Sequence, residues 1–163
     1  MSFDPELFAL AEKVVAANRA AGRTVTLAES CTGGLVAAAI TEVPGASDIL
    51  DRAFITYSNE AKMEMLDVSE DILSTLGAVS EATAWAMAQG ALERSNAGVA
   101  VAISGIAGPG GGTEKKPVGT VVFARAIRGE DGPTLADTHH FGDIGRHEIR
   151  RQAALVALRL LLP

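Results

Sequence analysis

Scarcity marks this sequence before any motif does. Its 163 residues include one cysteine, one tryptophan, one tyrosine and five phenylalanines. A single cysteine excludes an internal disulfide and agrees with a reducing compartment. Basic residues form no run longer than the pairs Lys115-Lys116 and Arg150-Arg151, and the formal net charge is −6. The basic patch that a nucleic acid would need is missing, so no nucleic-acid partner is expected. No apolar stretch nears the roughly 18 residues that suggest a membrane span. The start MSFDPELF carries acids where a signal sequence has a basic flank. No membrane association is expected, and the chain reads as cytoplasmic.

What is present points to a compact α/β domain. Hydrophobic residues make up 48% of the chain and aromatics 4%. Small apolar side chains let helices lie close on a sheet. They also permit a homo-oligomer. No break in composition divides the chain, so one domain is expected over 1–163.

Local signals order the elements. Asp4-Pro5-Glu6 predicts a capped helix start, with Leu7, Leu10, Ala11 and Val14 at helical spacing until Gly22. Thr24 to Ala28 predicts a strand and Thr32 to Thr41 a helix, broken by Pro44-Gly45. Ala53 to Tyr57 has strand composition; Ser58 or Asn59 then caps a helix to Leu66. A short helix is expected over Ser69 to Leu76, and a long one from Ser80 to Arg94. Gly98 to Ser104 is apolar throughout, as buried central strands are. The glycine-rich loop Gly105 to Thr113 follows. Val118 to Ala126 and Thr134 to Phe141 read as strands paired across Gly129 to Gly132, and the last helix as Arg146 to Leu161, with Ile149, Ala153, Val156 and Leu160 along one stripe.

Strand-helix-strand units imply right-handed crossovers and parallel strands. The carboxyl ends of such strands share one edge of the sheet, where open α/β sheets bind ligands. TLAESCTGG (Thr26 to Gly34), YSNEAK (Tyr57 to Lys62) and SGIAGPGGGT (Ser104 to Thr113) therefore fall along one rim.

Several side chains there could carry chemistry. Ser30 is either a nucleophile served by the amides of Thr32, Gly33 and Gly34, or, like Thr32, a helix cap. Cys31 is an alternative nucleophile or a small buried residue. Lys62, in the first turn of a helix, is either a neutral general base with its pKa lowered by burial and the macrodipole, or a solvated lysine beside Glu60 or Glu64. Tyr57 either orients that amine or relays its proton, or only packs. His139, His140 and His147 cluster late in the chain without a triad pattern. The glycine loop has no Walker lysine and no GxGxxG; its amides either cradle an anion or belong to a mobile loop. His139 and His140 diverge if they lie in a strand, and no HExxH pattern occurs, so no metal is expected.

Together, AESCTGG (Ala28 to Gly34), ITYSNEAK (Ile55 to Lys62), SGIAGPGGGTEKKPVGTV (Ser104 to Val121) and Arg146-His-Glu-Ile-Arg150 make the chain resemble the CinA C-terminal domain family. The resemblance implies a three-layer α/β/α fold with a mixed, mainly parallel sheet, similar to anticodon-binding domains. It further implies hydrolysis of nicotinamide mononucleotide to nicotinate mononucleotide and ammonia, in pyridine-nucleotide recycling, without a cofactor. By motif, Ser30 becomes the nucleophile, Lys62 the base and Tyr57 a supporting catalytic residue. Substrate contacts become Thr32, Gly33, Gly34, Asn59, Ser104, Ala107, Gly108, Pro109, Gly110 and Gly111, with Arg146 as a phosphate or structural ligand. Two residues separate Asp143 from Arg146 where the family pattern sets Asp and Arg side by side. The pyrophosphatase activity associated with the N-terminal domain of full-length CinA proteins is not expected. The competing expectation is a catalytically silent nucleotide-binding module on the same rim; a third is an amidase for another small carboxamide.

Overall fold

The computed structural model describes residues 2–132 and 134–163. Helices α1 (Pro5–Ala21), α2 (Leu35–Thr41), α3 (Asn59–Leu66), α4 (Glu70–Leu76), α5 (Glu81–Glu93) and α6 (Arg146–Leu160) surround strands β1 (Val25–Glu29), β2 (Leu50–Ile55), β3 (Val99–Gly105), β4 (Thr120–Ile127) and β5 (Leu135–His140). The strand order is β2-β1-β3-β4-β5. β1 pairs in parallel with both β2 and β3, whereas β4 is antiparallel to β3 and to β5. Four strands thus share one direction and β4 alone runs against them, so the sheet is mixed and mainly parallel, as expected.

Alternation along the central strands builds two unlike layers. Val99, Val101 and Ile103 face α1, α2 and α6 together with Leu27, Val121 and Phe123. The opposite face presents Ala100, Ala102, Ala124 and Ala126 to Ala84, Ala88 and Ala91 of α5. Alanine against alanine brings that helix close to the sheet, which explains a core with few aromatics.

Several details depart from expectation. α2 starts at Leu35 rather than Thr32, because Gly33 and Gly34 adopt φ of 59° and 99°, outside the helical region. β2 ends at Ile55, so Thr56 and Tyr57 lie beyond the strand, and it begins at Leu50, three residues before the expected start, because a half-buried edge strand carries no continuous apolar run. On α6 the buried face runs through Ile149, Ala153, Ala154, Leu155, Ala157 and Leu158, whereas Val156 and Leu160 are only partly covered. No helix among the described residues is long and apolar enough to cross a membrane.

Candidate active site

The parallel registers decide what meets at the rim. Glu29, the last residue of β1, pairs with Ile55 on one side and Ile103 on the other. The Ser30 amide then donates to Ile103 O at 2.9 Å and the Thr56 amide to Glu29 O at 2.9 Å. The three strand ends are tied together, and a cleft of about 270 Å³ opens between them. Ser30, Cys31, Tyr57, Lys62, Ser104 and Arg146 line it, with Ala107, Gly108, Gly110 and Gly111 of the glycine loop.

α3 carries Lys62 into this cleft. Ser58 caps the helix by accepting from the Ala61 amide at 3.0 Å. Lys62 is 1% exposed, and its Nζ lies 2.9 Å from Ser30 Oγ, 2.8 Å from Thr56 O and 3.2 Å from Tyr57 O. Burial pushes the ammonium pKa down to about 8. In the neutral amine, two N–H groups serve the two carbonyls and the lone pair faces the Ser30 hydroxyl. That is the geometry a general base for a serine nucleophile requires. Cys31 is also buried, but burial raises its thiol to about 11, which leaves it protonated and poorly nucleophilic.

Tyr57 acts on Lys62 through its main-chain carbonyl. The residue is 60% exposed, and the phenol oxygen accepts from Arg146 at 3.0 Å. Arg146 also donates to Gly108 O at 2.8 Å, linking the glycine loop to Tyr57 across the mouth. Ser104 Oγ donates to Ala78 O at 2.8 Å, which holds the segment between α4 and α5 against the rim.

Other expected contacts are placed differently. Thr32, Gly33, Gly34, Asn59 and Pro109 do not line the cleft. Asn59 and Pro109 are exposed, whereas Thr32 is fully buried and its Oγ1 has no hydrogen-bond partner. The Gly33 amide is spent on Ser30 O at 3.0 Å. The start of α2 is not free to receive an oxyanion, because the buried Glu29 carboxylate accepts from the Val36 and Ala37 amides, each at 3.1 Å. That carboxylate fills the position where a negative charge is most stable. His139, His140 and His147 lie outside the cleft.

Sequence reasoning missed the Thr56 carbonyl, which no side-chain pattern reveals. It also missed Arg150, whose Nε donates to Cys31 O at 3.0 Å and whose guanidinium donates to Thr32 O at 2.9 Å. A signal existed for Arg150. It follows Arg146 by four residues and shares a helix face with it.

The molecule is therefore a three-layer α/β/α protein with a buried lysine against a serine at the carboxyl edge of its parallel strands. Residues 7–163 match the CinA C-terminal domain, and the chain belongs to that family. It is 52% identical over 158 residues to the nicotinamide-nucleotide amidohydrolase PncC of Escherichia coli K12, spanning 97% of this chain and 94% of that protein. It is 46% identical to a CinA-like protein of Syntrophotalea carbinolica over 96% of its own length, of which it spans 38%. Its fold superposes on the crystal structure of the competence/damage inducible protein CihA of Agrobacterium tumefaciens with a TM-score of 0.94. The identity there is 48%, covering 99% of this chain and 97% of that one.

Proposed function

We propose that this chain hydrolyses the carboxamide of nicotinamide mononucleotide to nicotinate mononucleotide and ammonia, a step of pyridine-nucleotide recycling. The observation that carries the reading is the buried Lys62 amine 2.9 Å from Ser30 Oγ at a cleft floor. The likeness to PncC over nearly the whole chain supports the substrate.

In this mechanism Ser30 Oγ bonds to the amide carbon as its proton passes to Lys62. The C–N bond then breaks, and the proton leaves with ammonia. Water gives a proton to Lys62 and attacks the ester carbon; Oγ departs, regains the proton and releases the carboxylic acid. Every proton moves through one amine, so the scheme closes with the side chains present.

Incubating the purified protein with nicotinamide mononucleotide and measuring ammonia tests the reading. Wild type should release ammonia, and a folded Ser30→Ala variant should lose on the order of 10³-fold or more in kcat. Binding without release would favour the silent module.

A further inference from the structure

We propose that a second cavity beside the cleft is an anion subsite that receives the phosphate of the mononucleotide, with Lys115 and Lys116 as its ligands. The inference rests on the amidohydrolase reading of the adjoining cleft.

Its basis is the order of side chains across the sheet edge. Ser30 follows Glu29 as Ser104 follows Ile103, and Glu29 and Ile103 are register partners. Ser104 in turn pairs with Val122 of β4, and Val122 with Thr138 of β5. The four form one row beneath the start of α5, on the face where Ser104 Oγ donates to Ala78 O and Thr138 Oγ1 to Glu81 Oε1. Ser30 and Ser104 line the cleft. Val122 and Thr138 line a cavity of about 530 Å³, together with Lys115, Lys116, Thr120 and His140. Val79 borders both, so cleft and cavity are consecutive stretches of one groove.

Size and spacing fit a nucleotide laid along that groove. The cleft alone, about 270 Å³, falls short of the roughly 300–1,000 Å³ usual for small-molecule sites. Two strand spacings, roughly 10 Å, separate β1 from β4. A pyridine carboxamide, a ribose and a phosphoester in line reach about as far, roughly 9 Å with bonds near 1.5 Å. An amide carbon held at Ser30 therefore sets the phosphate in the second cavity.

The chemistry of the lining suits an anion. Two ammonium groups meet there in a chain of net charge −6, and Glu81, the one carboxylate of the lining, is engaged by the Thr138 hydroxyl at 3.1 Å. Lys116 is held in place beforehand: its amide donates to Thr113 Oγ1 at 3.0 Å and its Nζ to Leu76 O at 2.6 Å. Two N–H groups of that ammonium remain for a ligand. Arg146, by contrast, is committed to Tyr57 and Gly108 across the mouth.

Nicotinamide riboside, the same amide without the phosphate, provides the test. Wild type should favour the mononucleotide over the riboside by at least about tenfold in kcat/KM. Lys115→Gln combined with Lys116→Met should lower kcat/KM for the mononucleotide at least about tenfold and leave that for the riboside within about threefold. Lys116→Arg keeps a phosphate-binding cation and should retain most of the preference. Losing only the tether to Leu76 would slow both substrates alike, and that result would overturn the proposal. So would equal use of the two amides by wild type, an unchanged preference in the double variant, or a preference abolished by Arg146→Met instead. If wild type releases ammonia from neither amide, the amidohydrolase reading fails, and titration with ribose 5-phosphate in a calorimeter tests the cavity directly. Binding at least about tenfold weaker in the double variant then still supports the subsite. Equal affinity, or no binding to wild type, refutes it.

Discussion

The Lys62 amine and the Ser30 hydroxyl lie 2.9 Å apart, with Lys62 fully sheltered from solvent. They meet because β1 delivers Ser30 and the chain beyond β2 delivers α3 to the same end of a parallel sheet. Two main-chain carbonyls, of Thr56 and Tyr57, hold the amine so that its remaining valence faces the serine. Substituting Lys62→Arg should abolish ammonia release as fully as Lys62→Met, by about 10³-fold or more in kcat. A guanidinium keeps the positive charge but does not deprotonate. Near-normal turnover by Lys62→Arg would remove the lysine from its role as base.

The pH profile follows from the sign of the Lys62 shift. Its pKa is lowered to about 8, and in the proposed mechanism the neutral amine is the active form. The rate should climb about tenfold per pH unit below that value and level off above it. The thiol of Cys31, at about 11, contributes no limb in that range. Initial rates between pH 6 and 10 check this, and a flat profile would contradict it.

Stability should report the same group. Because the folded pKa lies below the unfolded one, the unfolded chain binds the extra proton between about 8 and 10.5. Folding is therefore penalised below about 8, and the penalty fades as pH rises towards 10.5. Lys62→Met has no such penalty, so its stability relative to wild type should fall steadily across that window. Urea unfolding of both proteins at several pH values measures it, and a constant difference would sink the idea.

Glu29 is fully buried next to Ser30 in the chain, and its carboxylate caps α2. Glu29→Ala leaves two amides without their acceptors and should cost about 2–4 kcal/mol in urea unfolding. Glu29→Gln retains one acceptor oxygen and should cost roughly half as much. If both variants match wild type in stability, the cap does not hold the turn.

Gly90 links the core to the site. A Cβ there would sit 2.1 Å from Leu66 O, the backbone of the helix that carries Lys62. Gly90→Ala should destabilise by about 3 kcal/mol. By displacing α3 it should also lower kcat at least about tenfold, given the sensitivity of catalysis to shifts near 1 Å. Unfolding and ammonia assays on one preparation test both effects.

Much of the fold was legible because its signals are local. The Asp4-Pro5 cap, the Gly22 stop and the apolar run Val99 to Ser104 each fall where periodicity and turn chemistry put them. The crossover rule then carried Ser30, Lys62 and Ser104 to one rim, and the structure brings all three to one cleft. The helix expected from Thr32 failed for a local reason as well, since Gly33 and Gly34 could equally have begun a helix or, as they do, delayed it with positive φ.

By itself, then, the sequence determined the elements, their order and the rim on which the polar loops gather, because hydrophobic period and backbone stiffness are properties of neighbouring residues. Only the tertiary structure decided which groups are chemically available. Packing by distant segments excludes water from Lys62 and so sets its charge. It gives the amides of α2 to Glu29 and turns Arg150 onto the carbonyls of Cys31 and Thr32. Charge state and hydrogen-bond partnership depend on what surrounds a group in space, and a linear pattern of residues does not encode those distances.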